Sequence, residues 1–237
     1  MSSKTKQLEE KLRSAERLGY VGGMVSKLAH ELRNPLNTIS VNLQLLDEDF
    51  SKNNSDPKML NRLRVARKEI NRLEHLLSDF LRFARPVPMD LKSQDINQLV
   101  LSFVEFIKPS AEKSNVKIVP HLGKGLNPVL LDEKLLKSVL LNLTLNSIAA
   151  MPNGGTITFR TRQRRNQVLL TITDTGNGIP REILDKVFDV FFTTKEGGSG
   201  LGLSITRRII EDLAGTITID STSGVGTTVI ISFPVHT

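Results

Sequence analysis

The chain has 237 residues, 39% of them hydrophobic and 24% charged, the make-up of folded domains and not of a disordered tail. It contains no cysteine, which excludes disulfide scaffolding and thiol chemistry and fits a reducing compartment. Its net charge of +7 calls for anionic partners, but with one Tyr, no Trp and no dense basic run interleaved with aromatics, no nucleic-acid partner is expected. A nucleotide phosphate site and an acidic protein surface account for the charge as well. No apolar run is long enough to span a bilayer, and the opening Met1 to Gln7 is not a signal peptide. The expectation is a cytoplasmic protein, either soluble as it stands or the cytoplasmic part of something longer, with a membrane involved only in the second case.

Residues from about 4 to 50 read as one long helix. Its apolar seam runs through Leu8, Leu12, Ala15, Leu18, Val25, Leu28, Leu32, Leu36 or Pro35, Ile39, Leu43, Leu46 and Phe50. Gly22-Gly23 is a weak point in it, and Pro35 is expected to kink it. At about 100° per residue His30 points away from the seam, with Glu31 beside it and Asn34 one turn on along the same face. An imidazole with one unprotonated nitrogen is a nucleophile, and a neighbouring carboxylate can hold the other N–H. Taken alone, a solvated charged face is the simpler reading.

Ser51 to Pro57 is a turn by composition, with Pro57 at the first position of a helix over about 57–85. That helix carries Leu63, Ala66, Ile70, Leu73, Leu77, Phe80 and Ala84 at alternating spacings of three and four. Two such helices make an antiparallel hairpin over residues 1–85 whose seam is half uncovered. Two hairpins pairing as a four-helix bundle would cover it, so a homodimer is expected. Pro86 and Pro88 mark a linker over 86–92.

From residue 93 the pattern becomes α/β. Helices are expected over Asp95–Lys113, over an apolar stretch from Asp132 to about Ala150, and over Leu201–Leu213. Strands are expected over Val116–His121 and Pro128–Leu131, with hairpins over Thr156–Arg162/Gln167–Asp174 and Thr216–Ser221/Gly226–Pro234. The fold class is therefore a helical hairpin followed by an α/β sandwich.

The apolar 132–150 helix carries Asn142 and Asn146 on one face. Such amides either bond neighbouring backbone or face a ligand, where an amide oxygen suits a hard cation. Asp174 ends a strand and is followed by Gly176 and Gly178, a fixed carboxylate beside bare backbone on which a flat ring can lie. Gly197-Gly198-Ser199-Gly200-Leu201-Gly202 opens a helix, with Lys195 just before it, and this favours a phosphate site. It is neither a lysine-ended P-loop nor a Rossmann fingerprint.

Taken together, the chain resembles the catalytic core of a bacterial sensor histidine kinase: a phospho-acceptor hairpin followed by an ATP-binding domain of the GHKL type. His30-Glu31-Leu32-Arg33-Asn34-Pro35 resembles the H box, and Asn142 to Asn146 the N box. Asp174-Thr175-Gly176-Asn177-Gly178 resembles the G1 box, Val187 to Lys195 the F box, and Gly198-Ser199-Gly200-Leu201-Gly202-Leu203 the G2 box. Five motifs in the family's order span about residues 18 to 235. Asn34 and the run Ala150-Met151-Pro152-Asn153-Gly154-Gly155 resemble the nitrogen-regulator branch.

The resemblance implies a role for each matched residue. His30 would accept the phosphoryl group, Glu31 would orient it, and Asn34 would place a water for dephosphorylating the partner. Asn146 would ligate Mg2+, with Asn142 in the same pocket. Asp174 would bind the adenine amino group of ATP, with Gly176 and Gly178 shaping the wall and Thr227 assisting. Thr194, Lys195, Gly198, Gly200, Leu201 and Gly202 would hold the phosphates in a mobile lid. The partner would be a response-regulator receiver domain. Departures are small: Ser147 stands where the family often has Ala, Val190 where Pro is common, and Ser199 where Thr is common. His75, His121 and His236 match no motif. The rival readings are a GHKL ATPase of the gyrase sort, an anti-sigma kinase without an acceptor hairpin, and a non-catalytic signalling scaffold. Asn142 argues against the first, since those enzymes carry glutamate there.

Overall fold

The computed structural model describes residues 32–46, 48, 61–70, 73, 89–195 and 198–236. The chain divides into two compact units, Met1–Val87 with Thr193–Leu201, and Pro88–Phe192 with Gly202–Thr237.

In the first unit residues 32–46 (α1) and 61–70 (α2) are helical. Arg62 Nη1 donates to the Leu45 carbonyl at 2.7 Å and ties the two helices together. Leu46 and Ala66 are buried, as the seam requires, whereas Leu36, Leu43, Leu63 and Ile70 stay about half exposed in the single chain. The helix assignment continues unbroken through Pro35, which is itself buried, and the Thr38 hydroxyl donates to the Asn34 carbonyl at 3.2 Å. The predicted turn over Ser51–Pro57 and the predicted helix N-terminal to residue 32 lie outside the described residues.

The second unit starts earlier than its sequence boundary. Residues 89–92, expected as linker, are ordered against it: the Asp90 amide donates to Asp132 Oδ2 at 2.9 Å, and Met89 packs on the core. Lys92–Gln94 (β1) pairs antiparallel with Val129–Leu131 (β3) in a two-stranded sheet. A three-residue strand is too short to show alternation, so nothing in the sequence announces β1.

The main sheet has the order β2-β4-β5-β7-β6. Its strands are Val116–Leu122 (β2), Gly155–Arg164 (β4), Gln167–Asp174 (β5), Thr216–Thr222 (β6) and Gly226–Pro234 (β7). Only β2–β4 is parallel. Alternation sets the faces: Ile157, Phe159, Val168, Leu170, Ile172, Val229, Ile231 and Phe233 are buried, while Arg160 and Arg162 point to solvent.

Helices Ile96–Lys113 (α3), Glu133–Ala149 (α4) and Gly202–Asp212 (α6) contribute to the same core. Phe103 of α3 meets Phe159 of β4 edge-on with centroids 6.0 Å apart; burying one such side chain stabilises the fold by roughly 1.5–3 kcal/mol. Asp95, expected as the first residue of its helix, is its N-cap, and Asp132 caps α4. Asp95 accepts from Asn97 N at 2.8 Å, and Asp132 from Lys134 N at 2.9 Å and Leu135 N at 3.1 Å. α4 is less enclosed than its composition suggests, because Leu145 is 47% exposed. The short α5 (Arg181–Leu184) follows the second glycine of the Asp174 loop. Among the described residues no helix is long and apolar enough to cross a membrane.

Candidate functional site

The second unit gathers its unusual polar groups at one end of the sheet, where β5 ends, β7 begins and the last turn of α4 arrives. Asp174 is the final residue of β5 and pairs in register with Thr227 of β7. Its side chain is buried and fully directed. Oδ1 accepts from the Gly176 amide at 3.0 Å and the Thr227 amide at 3.2 Å, and Oδ2 accepts from the Ser147 hydroxyl at 2.7 Å. Ser147 is one residue beyond Asn146 on α4, so the same turn of helix bears both.

The loop after Asp174 is stitched to its neighbours by backbone. Asn177 N donates to the Ala150 carbonyl at 3.0 Å, and Gly224 N to the Asn177 carbonyl at 2.7 Å. Gly178 sits at φ +66°, and a Cβ there would run into the Thr222 carbonyl, so both conformation and space demand glycine. Ser221 completes the stitching. It accepts from Ile179 N at 2.8 Å, donates to the Gly226 carbonyl at 2.9 Å and lies 2.9 Å from Thr227 Oγ1. The glycine loop and the β6–β7 turn are thus one rigid piece around Asp174.

Asn142 and Asn146 share a face of α4, as expected. Asn142 Nδ2 donates to Thr206 Oγ1 on α6 at 2.8 Å, and Gly202 lies against the same amide. The partner of Asn142 is thus a side-chain hydroxyl 64 residues away and not neighbouring backbone. Asn146 is half-buried one turn on. Among the described residues no group of three or more His, Asp or Glu could hold a metal ion. A divalent cation here would depend on the Asn146 amide oxygen together with oxygens that a nucleotide brings, which suits Mg2+.

The stretch Thr193–Leu201 belongs to the other unit. Thr193 Oγ1 accepts from Lys195 N at 3.1 Å, Gly198 N donates to the Lys195 carbonyl at 3.1 Å, and Leu201 N donates to Ser199 Oγ at 3.3 Å. Gly200 has φ +65°. Thr194 and Lys195 are solvent-exposed by area, yet enough protein surrounds the Lys195 ammonium that desolvation lowers its pKa from 10.5. Gly202 stands apart from the other glycines of its motif, packing in the second unit as the first residue of α6.

In the hairpin Asn34 is exposed on α1. His30 and Glu31 lie outside the described residues. Sequence reasoning missed the Ser147 bond, the Ser221 network and Thr206 as partner of Asn142. Only Ser147 carried any signal, as a departure from the family pattern.

Comparison with known proteins gives a consistent picture. Residues 20–87 match the model "His Kinase A (phospho-acceptor) domain", and residues 131–237 match "Histidine kinase-, DNA gyrase B-, and HSP90-like ATPase". The chain is 34% identical over 232 residues to the signal transduction histidine-protein kinase AtoS of Escherichia coli (strain K12), covering 98% of this chain and 38% of that one. It is 33% identical over 233 residues to sporulation kinase E of Bacillus subtilis (strain 168), covering 98% and 31%. The chain thus spans less than two fifths of the length of these relatives. Among solved structures it is similar to histidine kinase ThkA in complex with response regulator protein TrrA, with TM-score 0.79, 27% identity, and coverage of 99% of this chain and 68% of that one. It is also similar to the catalytic domain of ThkA alone, with TM-score 0.56 and 31% identity over 62% of this chain and 96% of that one. These matches speak to the family and not to the nitrogen-regulator branch within it. A phospho-acceptor domain and an ATPase domain in this order, on a fold shared with ThkA, mean that the chain belongs to the sensor histidine kinase family.

Proposed function

We propose that this chain is an ATP-dependent protein-histidine autokinase that phosphorylates His30 and passes the phosphoryl group to an aspartate of a response-regulator receiver domain. The observation that carries the reading is Asp174: a buried carboxylate with both oxygens directed, beside bare glycine backbone, fits a purine amino group. The reported complex of ThkA with a response regulator supports the choice of partner.

In the proposed reaction the lone pair of an unprotonated His30 ring nitrogen forms the N–P bond. The bond between the γ-phosphorus and its bridging oxygen breaks, and ADP leaves. The proton on the other ring nitrogen is held by, and passes toward, the Glu31 carboxylate. Asp174, Gly176, Gly178 and Thr227 hold the base, and Lys195 with Thr194, Gly198, Gly200 and Leu201 holds the phosphates. Gly202 and Asn142 fix the start of α6 against α4, where Asn146 holds its amide oxygen for Mg2+. When bound, Mg2+ offsets charge on the transferring group. Asn34 orients a water for the reverse task, hydrolysis of the regulator's phosphoaspartate. The half-exposed Leu36, Leu43, Leu63 and Ile70 support a homodimer through the hairpin. The composition supports a cytoplasmic setting.

The test is incubation with γ-labelled ATP and Mg2+, wild type beside His30→Gln, followed by acid and alkali treatment. Label that is acid-labile, alkali-stable and absent from the variant is the expected result. Free phosphate with no labelled protein would replace the kinase by an ATPase.

A further inference from the structure

Ser147 stands at the C-terminal turn of α4, buried, and donates its hydroxyl proton to Asp174 Oδ2 at 2.7 Å. The other carboxylate oxygen already has two partners, the amides of Gly176 and Thr227. An ionised carboxylate offers about four lone-pair positions. Among the described residues three are filled by protein donors, which leaves one, on Oδ2. Two donors converge on Oδ1 and use both of its positions, so a base can meet this carboxylate only at Oδ2. Ser147 is the only one of these three donors that acts on Oδ2, so it alone among them sets where the remaining acceptor position points.

We propose that Ser147 is a positioning residue for nucleobase recognition: its hydroxyl pins Asp174 Oδ2 so that a single acceptor position is presented to the exocyclic amino group of an adenine-type base. The proposal rests on the reading that Asp174 binds that group. It makes selectivity for a 6-amino over a 6-unsubstituted or 6-oxo purine depend on a residue that itself touches no ligand. A base lacking the amino donor leaves the last acceptor position empty in a buried site, which is costly for a charged group.

A plain structural role is the competing account, since the same bond ties α4 to the end of β5. The two differ in what they do to the base. Loss of a tie weakens every nucleotide alike, whereas loss of a positioning contact weakens only nucleotides that carry the amino group.

The experiment measures Kd on the full chain for ATP and for purine riboside triphosphate, which has hydrogen at position 6. The readout is the ratio of the two constants. Wild type is expected to favour ATP clearly. Ser147→Ala should lower that preference by about three- to tenfold, the worth of roughly one net hydrogen bond, with the constant for the 6-unsubstituted analogue unchanged. Ser147→Thr, which keeps the hydroxyl, should retain the preference. Ser147→Cys, similar in volume but only a weak donor, should lose most of it, and it serves where the alanine variant folds poorly. Parallel weakening of both nucleotides at an unchanged ratio would overturn the role of Ser147 and leave Asp174 untouched. A wild-type ratio near one would instead remove the amino-group role from Asp174, and the proposal with it.

Discussion

Asn142 and Thr206 join α4 to α6 through one hydrogen bond of 2.8 Å between side chains 64 residues apart. The bond exists because the first residue of α6 is glycine. A Cβ on Gly202 would stand 2.6 Å from Asn142 Oδ1 and 3.1 Å from Nδ2, so any larger residue must push the amide aside. Gly202→Ala is therefore expected to break the bond and strand the buried Thr206 hydroxyl, at a cost of about 1–3 kcal/mol. In a chain of this size that lowers the unfolding midpoint by roughly 2–12 °C. Thermal unfolding checks it, and an unchanged midpoint would mean that the amide has room to move without loss.

Ser221 is the second joint. Its hydroxyl satisfies Ile179 N and contacts Gly226 O and Thr227 Oγ1, while the Thr227 amide reaches Asp174. Ser221→Ala leaves the Ile179 amide without its side-chain acceptor and loosens the turn behind Asp174. The expected result is weaker ATP binding by about three- to tenfold, from the loss of roughly one net hydrogen bond. The 6-unsubstituted purine analogue should weaken in step, because this joint supports the whole base wall and not the carboxylate alone. Titration of the two nucleotides against the variant decides it; a selective loss of ATP would assign Ser221 to the amino contact instead.

Asp132 links pH to stability. Burial works against its charged form, but the amides of Asp90, Leu135 and Lys134 outweigh burial and lower its pKa from 3.8. A carboxylate with a depressed folded-state pKa contributes stability that is present above the unfolded value and lost as pH falls through the folded one. Asp132→Asn keeps an acceptor for the cap but removes the charge. The amide nitrogen then stands where Oδ2 accepts from the Asp90 amide, so the variant should be less stable by about 1–3 kcal/mol at neutral pH, the cost of a stranded donor. That gap should narrow as pH drops below 3.8. Denaturation midpoints of both proteins across acid pH measure it, and a gap that stays constant would remove the charge from the account.

Much of this molecule is legible in its sequence because its strongest signals are local. Alternation in Gln167–Asp174 gave the strand and the inward face together, since period two fixes both at once. Asp132 announced its helix because a cap acts within three residues. The hidden parts are short or distant. β1 has three residues and α5 four, too few for any period. The Ser147–Asp174 bond spans 27 positions and the Asn142–Thr206 bond 64, so neither leaves a mark on its own neighbourhood. The site motifs were recognisable as types. What sequence could not supply was how many acceptor positions of the Asp174 carboxylate the protein fills, and that number decides what the site accepts.

Lys195 offers a test that requires no substitution. Desolvation favours its neutral form and lowers its pKa from 10.5. If Lys195 meets the nucleotide phosphates, as proposed, their negative charge restores the ammonium form and raises the pKa in the complex. Binding must then take up protons wherever the free protein is partly deprotonated, and affinity must fall as pH rises through the lowered free-state value. Calorimetric titration with ATP in two alkaline buffers of different ionisation enthalpy reads the uptake directly. Lys195→Arg, whose guanidinium stays charged throughout, should abolish both the uptake and the alkaline weakening while still binding ATP. Uptake of equal size in wild type and variant would place the titrating group elsewhere.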